Sequence, residues 1–138
     1  MALISSENFK FDFTIELCDL NEEKNGNPYN SSVSIKVESD GFCGMTETTI
    51  SAKNLRLFLA NLTEMYNTLQ GETVLKNLDY GSNLKIRCDK LGKFHFEVKI
   101  INDSFQQLQF NNIIDQTYMQ DFIKNLLSEF GIAANRVD

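Results

Sequence analysis

The chain has 138 residues, 42% of them apolar, and a formal net charge of −6 at pH 7. That length and apolar share suit one folded domain with a real core and argue against disorder. The acidic balance argues against direct nucleic-acid binding, which calls for a basic face. No stretch is apolar for long enough to cross a membrane. The start, Met-Ala-Leu-Ile-Ser-Ser-Glu-Asn, lacks the basic residues and apolar run of a signal peptide. Cys18, Cys43 and Cys88 are odd in number and form no Cys-x-x-Cys, as expected of reduced thiols in a cytoplasm.

In chain order, Phe9, Phe11, Phe13, Ile15 and Leu17 alternate with Lys10, Asp12, Thr14 and Glu16, which predicts a strand with one buried face. A polar, turn-rich loop follows from Asp19 to Pro28. Val33, Ile35 and Val37 alternate again, Asp40-Gly41 signals a hairpin, and Phe42 to Ile50 reads as the returning strand. The period then changes. Leu55, Phe58, Leu59, Leu62, Tyr66 and Leu69 share one face of a helix. Ser51 is placed to cap its first amides, and Gly71 is the residue expected to end it in the left-handed conformation.

Thr73–Leu78 is a candidate short strand. Leu84, Ile86 and Cys88, then Phe94, Phe96, Val98 and Ile100, form two more, linked by a hairpin loop that contains Gly92. After the turn at Asn102-Asp-Ser, a further strand ends near Phe110. The last helix repeats the grammar of the first. Asp115 is its expected N-cap, Met119, Phe122, Ile123, Leu126 and Phe130 its apolar stripe, and Gly131 its expected end, with a frayed tail over 133–138. The order β-β-β-α-β-β-β-β-α predicts a single α+β domain over 1–138. Its antiparallel sheet would have six to seven strands, with two amphipathic helices on one face.

No cofactor, metal or catalytic set is read from the residues. His95, the one histidine, alternates with Phe94 and Phe96 and is expected on the solvent side, with no nucleophile or orienting acid near it in sequence. Cys88 shares its face with Leu84 and Ile86 and is expected to pack as a small apolar residue. The glycines form neither a dinucleotide fingerprint nor a phosphate loop. The charge is more informative. Residues 1–50 hold nine acids and three bases, whereas 51–138 hold ten of each, so the whole net charge lies in the first part. An acidic surface favours a basic protein partner. Asp19, Glu22, Glu23 and Tyr29, in and beside the polar loop, are the candidate partner contacts.

Short motifs recur in an ordered series: Asp40-Gly-Phe-Cys-Gly, then Asn54-Leu-Arg-Leu-Phe-Leu-Ala-Asn-Leu, Leu69-Gln-Gly-Glu-Thr-Val-Leu, Leu84-Lys-Ile, Leu91-Gly-Lys-Phe, Leu108-Gln-Phe and Asp115-Gln-Thr-Tyr-Met. Over roughly residues 33–130 the series resembles the WapI-like family of bacterial polymorphic-toxin immunity proteins. The resemblance implies a cytoplasmic protein without enzymatic activity that binds and neutralises the toxic domain of a cognate toxin. The family's namesake is associated with an RNA-cleaving nuclease. An acidic secretion chaperone is the alternative that size and charge also fit.

Overall fold

A computed structural model of the chain describes residues 2–20, 31–76 and 78–135. The strands are β1 (Ala2–Ser5), β2 (Phe9–Leu17), β3 (Ser31–Ser39) and β4 (Phe42–Ile50), followed by helix α1 (Ala52–Thr68). Then come β5 (Gly71–Leu75), a short 3-10 turn (Asp79–Gly81), β6 (Asn83–Cys88), β7 (Phe94–Ile101) and β8 (Gln107–Ile114). A second 3-10 turn (Gln116–Tyr118) leads into helix α2 (Met119–Asn135). β1 to β4 form one antiparallel sheet in chain order, and β5 to β8 form another.

The class is the antiparallel α+β one that the hydrophobic periods predict, but the expected single sheet is two sheets. A run of four strands and a helix occurs twice, and the halves are reciprocal. Helix α1, which follows the first sheet, packs on β5 and β6 of the second; α2, which follows the second, packs on β1 and β2 of the first. Likewise β4 touches β7, and β3 touches β8. The unforeseen strand is β1. Its inward residues are only Ala2 and Ile4, both buried, and two residues are too short a pattern to read as alternation.

The core lies where the apolar sides of the two sheets and the helices meet. Phe11 of β2 and Phe96 of β7 approach edge-on with ring centroids 5.1 Å apart. Phe122 of α2 stands 5.8 Å from Phe11 and 6.4 Å from Phe96. Phe13 stacks on Phe58 of α1 at 5.8 Å. Such pairs contribute about 0.5–1.5 kcal/mol each beyond the area they bury. Where β4 crosses the second sheet, Gly44 packs closely against it. A Cβ there would lie 3.1 Å from Ile100 Cδ1 and 3.3 Å from both Leu108 Cδ1 and Phe110 Cε2.

The ends of elements carry several corrections. Phe9, Phe11, Phe13 and Ile15 are buried, but Leu17, next in the alternation, is 38% exposed. A bulge between Ile15 and Leu17 shifts the register. At that bulge the Ile15 N–H donates to Glu129 Oε1 of α2 at 2.8 Å. Ser51 does accept from the Asn54 N–H, at 3.0 Å. Helix α1, however, ends before Gly71. Leu69 takes the left-handed conformation (φ 55°), and its N–H returns to the Met65 carbonyl at 2.8 Å. Gly71, at φ 101°, instead turns the chain into β5. Asp115 caps the 3-10 turn that leads into α2, accepting from the Thr117 N–H at 3.2 Å. Gly131 does not end α2, which runs on to Asn135, because buried Ala133 continues the apolar stripe past it.

The bulge makes a testable contrast. Phe11 and Leu17 occupy equivalent places in the sequence pattern, yet Phe11→Ala should cost about 3–5 kcal/mol of unfolding free energy. Leu17→Ala should stay within about 0.5 kcal/mol. Urea titrations of both variants measure this, and comparable losses would contradict the bulge.

Candidate functional site

The acidic first part of the chain becomes the outer face and one end of the first sheet. Alternation in β2 and β3 turns Lys10, Asp12, Glu16, Lys36 and Glu38 away from the core, and β4 adds Glu47. The turns at one end add Glu7 and Asp40, so six carboxylates share this surface with two lysines. Across the strands Asp12 lies opposite Lys36, and Lys10 opposite Glu38. Glu16, Glu47 and the two turn acids are left as the excess. Met45, 58% exposed, and half-exposed Leu3 end the row that contains Asp12 and Lys36.

At the turn end the surface becomes concave. Asp40 and Gly41 both adopt left-handed backbone (φ 49° and 88°), the two-residue hairpin that Asp-Gly favours. The Asp40 N–H donates to the Asn8 carbonyl at 3.3 Å, tying the β3–β4 turn to the β1–β2 turn. Between them lies an open groove of about 390 Å³, lined among others by Glu7, Lys10, Glu38, Asp40 and Phe42. Phe42 is 64% exposed at its rim. An accessible aromatic ring ringed by acids combines an apolar anchor with electrostatic steering.

The four contacts expected from the sequence fare differently. Asp19 is fully buried, and its N–H donates to Ser31 Oγ at 2.9 Å, so it is not a surface contact. Cys18 beside it is buried as well, and Ser31 is the first residue of β3. Glu22, Glu23 and Tyr29 lie outside the described residues. Sequence reasoning missed the groove at Phe42. The Asp-Gly turn is legible, but the partner turn beside it depends on β1.

The outer face of the second sheet holds a different cluster. His95 Nε2 lies 2.7 Å from Asp89 Oδ2, and Arg87 Nη2 lies 3.0 Å from His95 Nδ1. The orienting acid that seemed absent in sequence is thus delivered by the β6–β7 hairpin. Arginine only donates, so Nδ1 accepts, and Nε2 carries the proton given to Asp89. Both ring nitrogens are engaged, and neither is free to act as a base. Asp89 also accepts from the N–H groups of Leu91 and Lys93, at 2.8 and 3.0 Å. The His95 hydrogen bond, followed by that from Lys93, holds its carboxyl below the ordinary value of 3.8. Cys88 sits on the inward row with Phe94 and Ile114. Burial, then the Asp89 charge, pushes its thiol up, away from the thiolate a nucleophile needs.

The same hairpin anchors the last helix. Lys93 Nζ is 3.2 Å from Asp115 Oδ2. A Cβ on Gly92 would lie 3.8 Å from Gln116 Oε1 and 3.9 Å from Leu69 Cδ1. The Asp115 carboxyl is held low first by the Thr117 N–H, then by Lys93. Three of the sequence motifs, around Leu69, Gly92 and Asp115, therefore meet at one corner, where each sets the course of the backbone.

Among the described residues, no group of three or more His, Cys, Asp or Glu is arranged to hold a metal ion. No helix among them is long and apolar enough to cross a membrane. Fold and surfaces together define a two-sheet antiparallel α+β domain whose accessible features are sheet faces, strand edges and shallow grooves. Comparison with known families is specific: the Immunity protein WapI-like family matches residues 3–132, and the chain belongs to that family. A search of curated proteins returns no match. Among solved structures, one titled as MRP1/MRP2 of trypanosoma bruciei aligns with 93% of this chain and 88% of its own, at 9% identity and a TM-score of 0.49.

Asp89 and Asp115 set a pH dependence. A carboxyl whose pKa is depressed by folding adds stability above its unfolded pKa and loses it as pH falls through the folded one. The wild type should therefore weaken on acidification from about pH 4 toward pH 2, and Asp89→Asn should lose less over that window. Denaturant midpoints at stepped pH test this. Parallel acid slopes for the two proteins would contradict the role given to Asp89.

Proposed function

We propose that this chain is a cytoplasmic, non-enzymatic immunity protein that binds the toxic domain of a cognate bacterial toxin and neutralises it by covering its surface. The family match over residues 3–132 carries this reading. The acidic end of the first sheet supports it, because a nuclease or other toxin that handles an anionic substrate presents a basic groove that such a surface complements. Phe42 is the proposed anchor, with Glu7, Glu38 and Asp40 around it. Glu22, Glu23 and Tyr29 belong to the same acidic part of the chain and are proposed as further contacts. The engaged nitrogens of His95 favour binding over chemistry.

Calorimetric titration against the purified cognate toxin domain at low and high salt tests this reading. Phe42→Ala should weaken binding at least about tenfold, as removal of an interface anchor does. Glu38→Lys with Asp40→Lys should weaken it and flatten its salt dependence. The pair Glu22→Lys and Glu23→Lys reads the loop separately. If all three leave affinity and salt slope unchanged, the acidic surface is not the contact.

A further inference from the structure

The second sheet ends in an unusual edge. Among the described residues β8 pairs only with β7. Its sequence, Gln107-Leu-Gln-Phe-Asn-Asn-Ile-Ile, contains no charge and no proline. The other open edges are guarded. β1 is four residues long, β5 is five residues long with Glu72 held 3.1 Å from Lys85, and β4 carries Glu47. A long, uncharged edge offers its unpaired backbone groups to another strand. In a chain of net charge −6, β8 itself adds no charge that would repel a second copy, although Asp40 lies beside it.

The order of side chains on β8 indicates which strand fits. Let a second β8 approach antiparallel with a two-fold axis at Gln109. Gln109 then faces Gln109, and Gln107 faces Asn111, amide against amide. On the inward side Leu108 comes opposite Phe110. Beside this pair lies a groove of about 300 Å³, lined by Asp40, Phe42, Leu108 and Phe110 among others. An axis at Asn111 would instead set Gln107 against Asp115 and an amide against Ile113. Directly opposite cross-strand side chains are the unit that stabilises or weakens a sheet pairing.

We propose that β8 is a self-association edge, where a second copy of this chain adds its own β8 and joins two four-stranded sheets across a two-fold axis at Gln109. The occupant is a second copy rather than a strand of another protein because the match is of β8 with itself.

Sedimentation of the full chain over a range of concentrations tests this. Wild type should sediment at twice the chain mass of 15.8 kDa. Gln109→Lys alone and Gln109→Glu alone should each sediment as single chains, because like charges then meet on the axis. An equimolar mixture of the two should recover the pair, Lys against Glu. Gln109 is exposed on an edge, and circular dichroism of each variant matching wild type shows that folding is intact. Single chains of wild type at every concentration overturn the proposal, as does a pair that persists in both variants. A mixture that stays monomeric overturns the axis at Gln109. Wild type that is monomeric but loses toxin binding on Gln109→Lys overturns it in favour of a strand from the toxin.

Discussion

Neither sheet has a helix of its own to cover it, and everything else in the molecule follows from how that is resolved. Each four-stranded sheet has one apolar face, which must be buried against something. The helix that follows the first sheet covers strands of the second, and the helix that follows the second covers strands of the first. The exchange closes on the rings of Phe11, Phe96 and Phe122, drawn from one sheet, the other sheet and a helix. Neither half can bury its own sheet alone, so the stability of each is tied to the presence of the other. Gly44 marks how close the two sheets come, since a Cβ there would press on the side-chain ends of Ile100, Leu108 and Phe110.

This arrangement consumes the apolar faces and leaves function to the outer faces, edges and turn ends. The two sheets differ in what they present there. The first is acidic, with Glu7, Glu38 and Asp40 grouped about Phe42. The second carries Lys85, Arg87 and Lys99 with Glu72 and Glu97, and it locks its one histidine between Arg87 and Asp89. A protein that neutralises another by covering it needs a surface of this kind more than a cleft. A buried anchor and complementary charge supply the affinity and the encounter rate without any reaction.

Much of the fold was legible because a period of two or of 3.6 survives wherever one face is buried. The rows Phe9–Ile15, Val33–Val37 and Phe94–Ile100 are buried as alternation predicts, as are Leu55, Phe58, Leu59 and Leu62 of α1 and Met119, Phe122, Ile123 and Leu126 of α2. Leu69, expected on the first stripe, is 38% exposed beyond the end of α1, and Met65 is buried instead. What was not legible depends on partners distant in sequence. Leu17 leaves its row because a bulge sits where Glu129, 114 residues away, meets Ile15. Gly131 resembles a stop signal, but buried Ala133 keeps the helix going. His95 looked unaccompanied because its acid lies across a hairpin, six residues back. Asp19 looked solvent-exposed because polar neighbours in sequence say nothing of its burial in the fold. The division into two sheets is invisible to local pattern, since one sheet or two would show the same alternation.

The residues that carry the family resemblance also gain a physical meaning. Leu69 ends a helix, Gly92 shapes a hairpin and Asp115 starts the last helical segment, and they converge on one corner joined by Lys93. They describe how the domain is built, whereas the acidic end of the first sheet lies elsewhere and is the surface proposed for recognition. Hydrogen exchange of the chain, free and bound to its cognate toxin domain, separates the two most directly. The account predicts protection on binding at residues 7–10 and 38–43 and little change at 89–93 and 115–118. Protection confined to the 89–93 hairpin and the outer face of the second sheet, with none at 38–43, would contradict it.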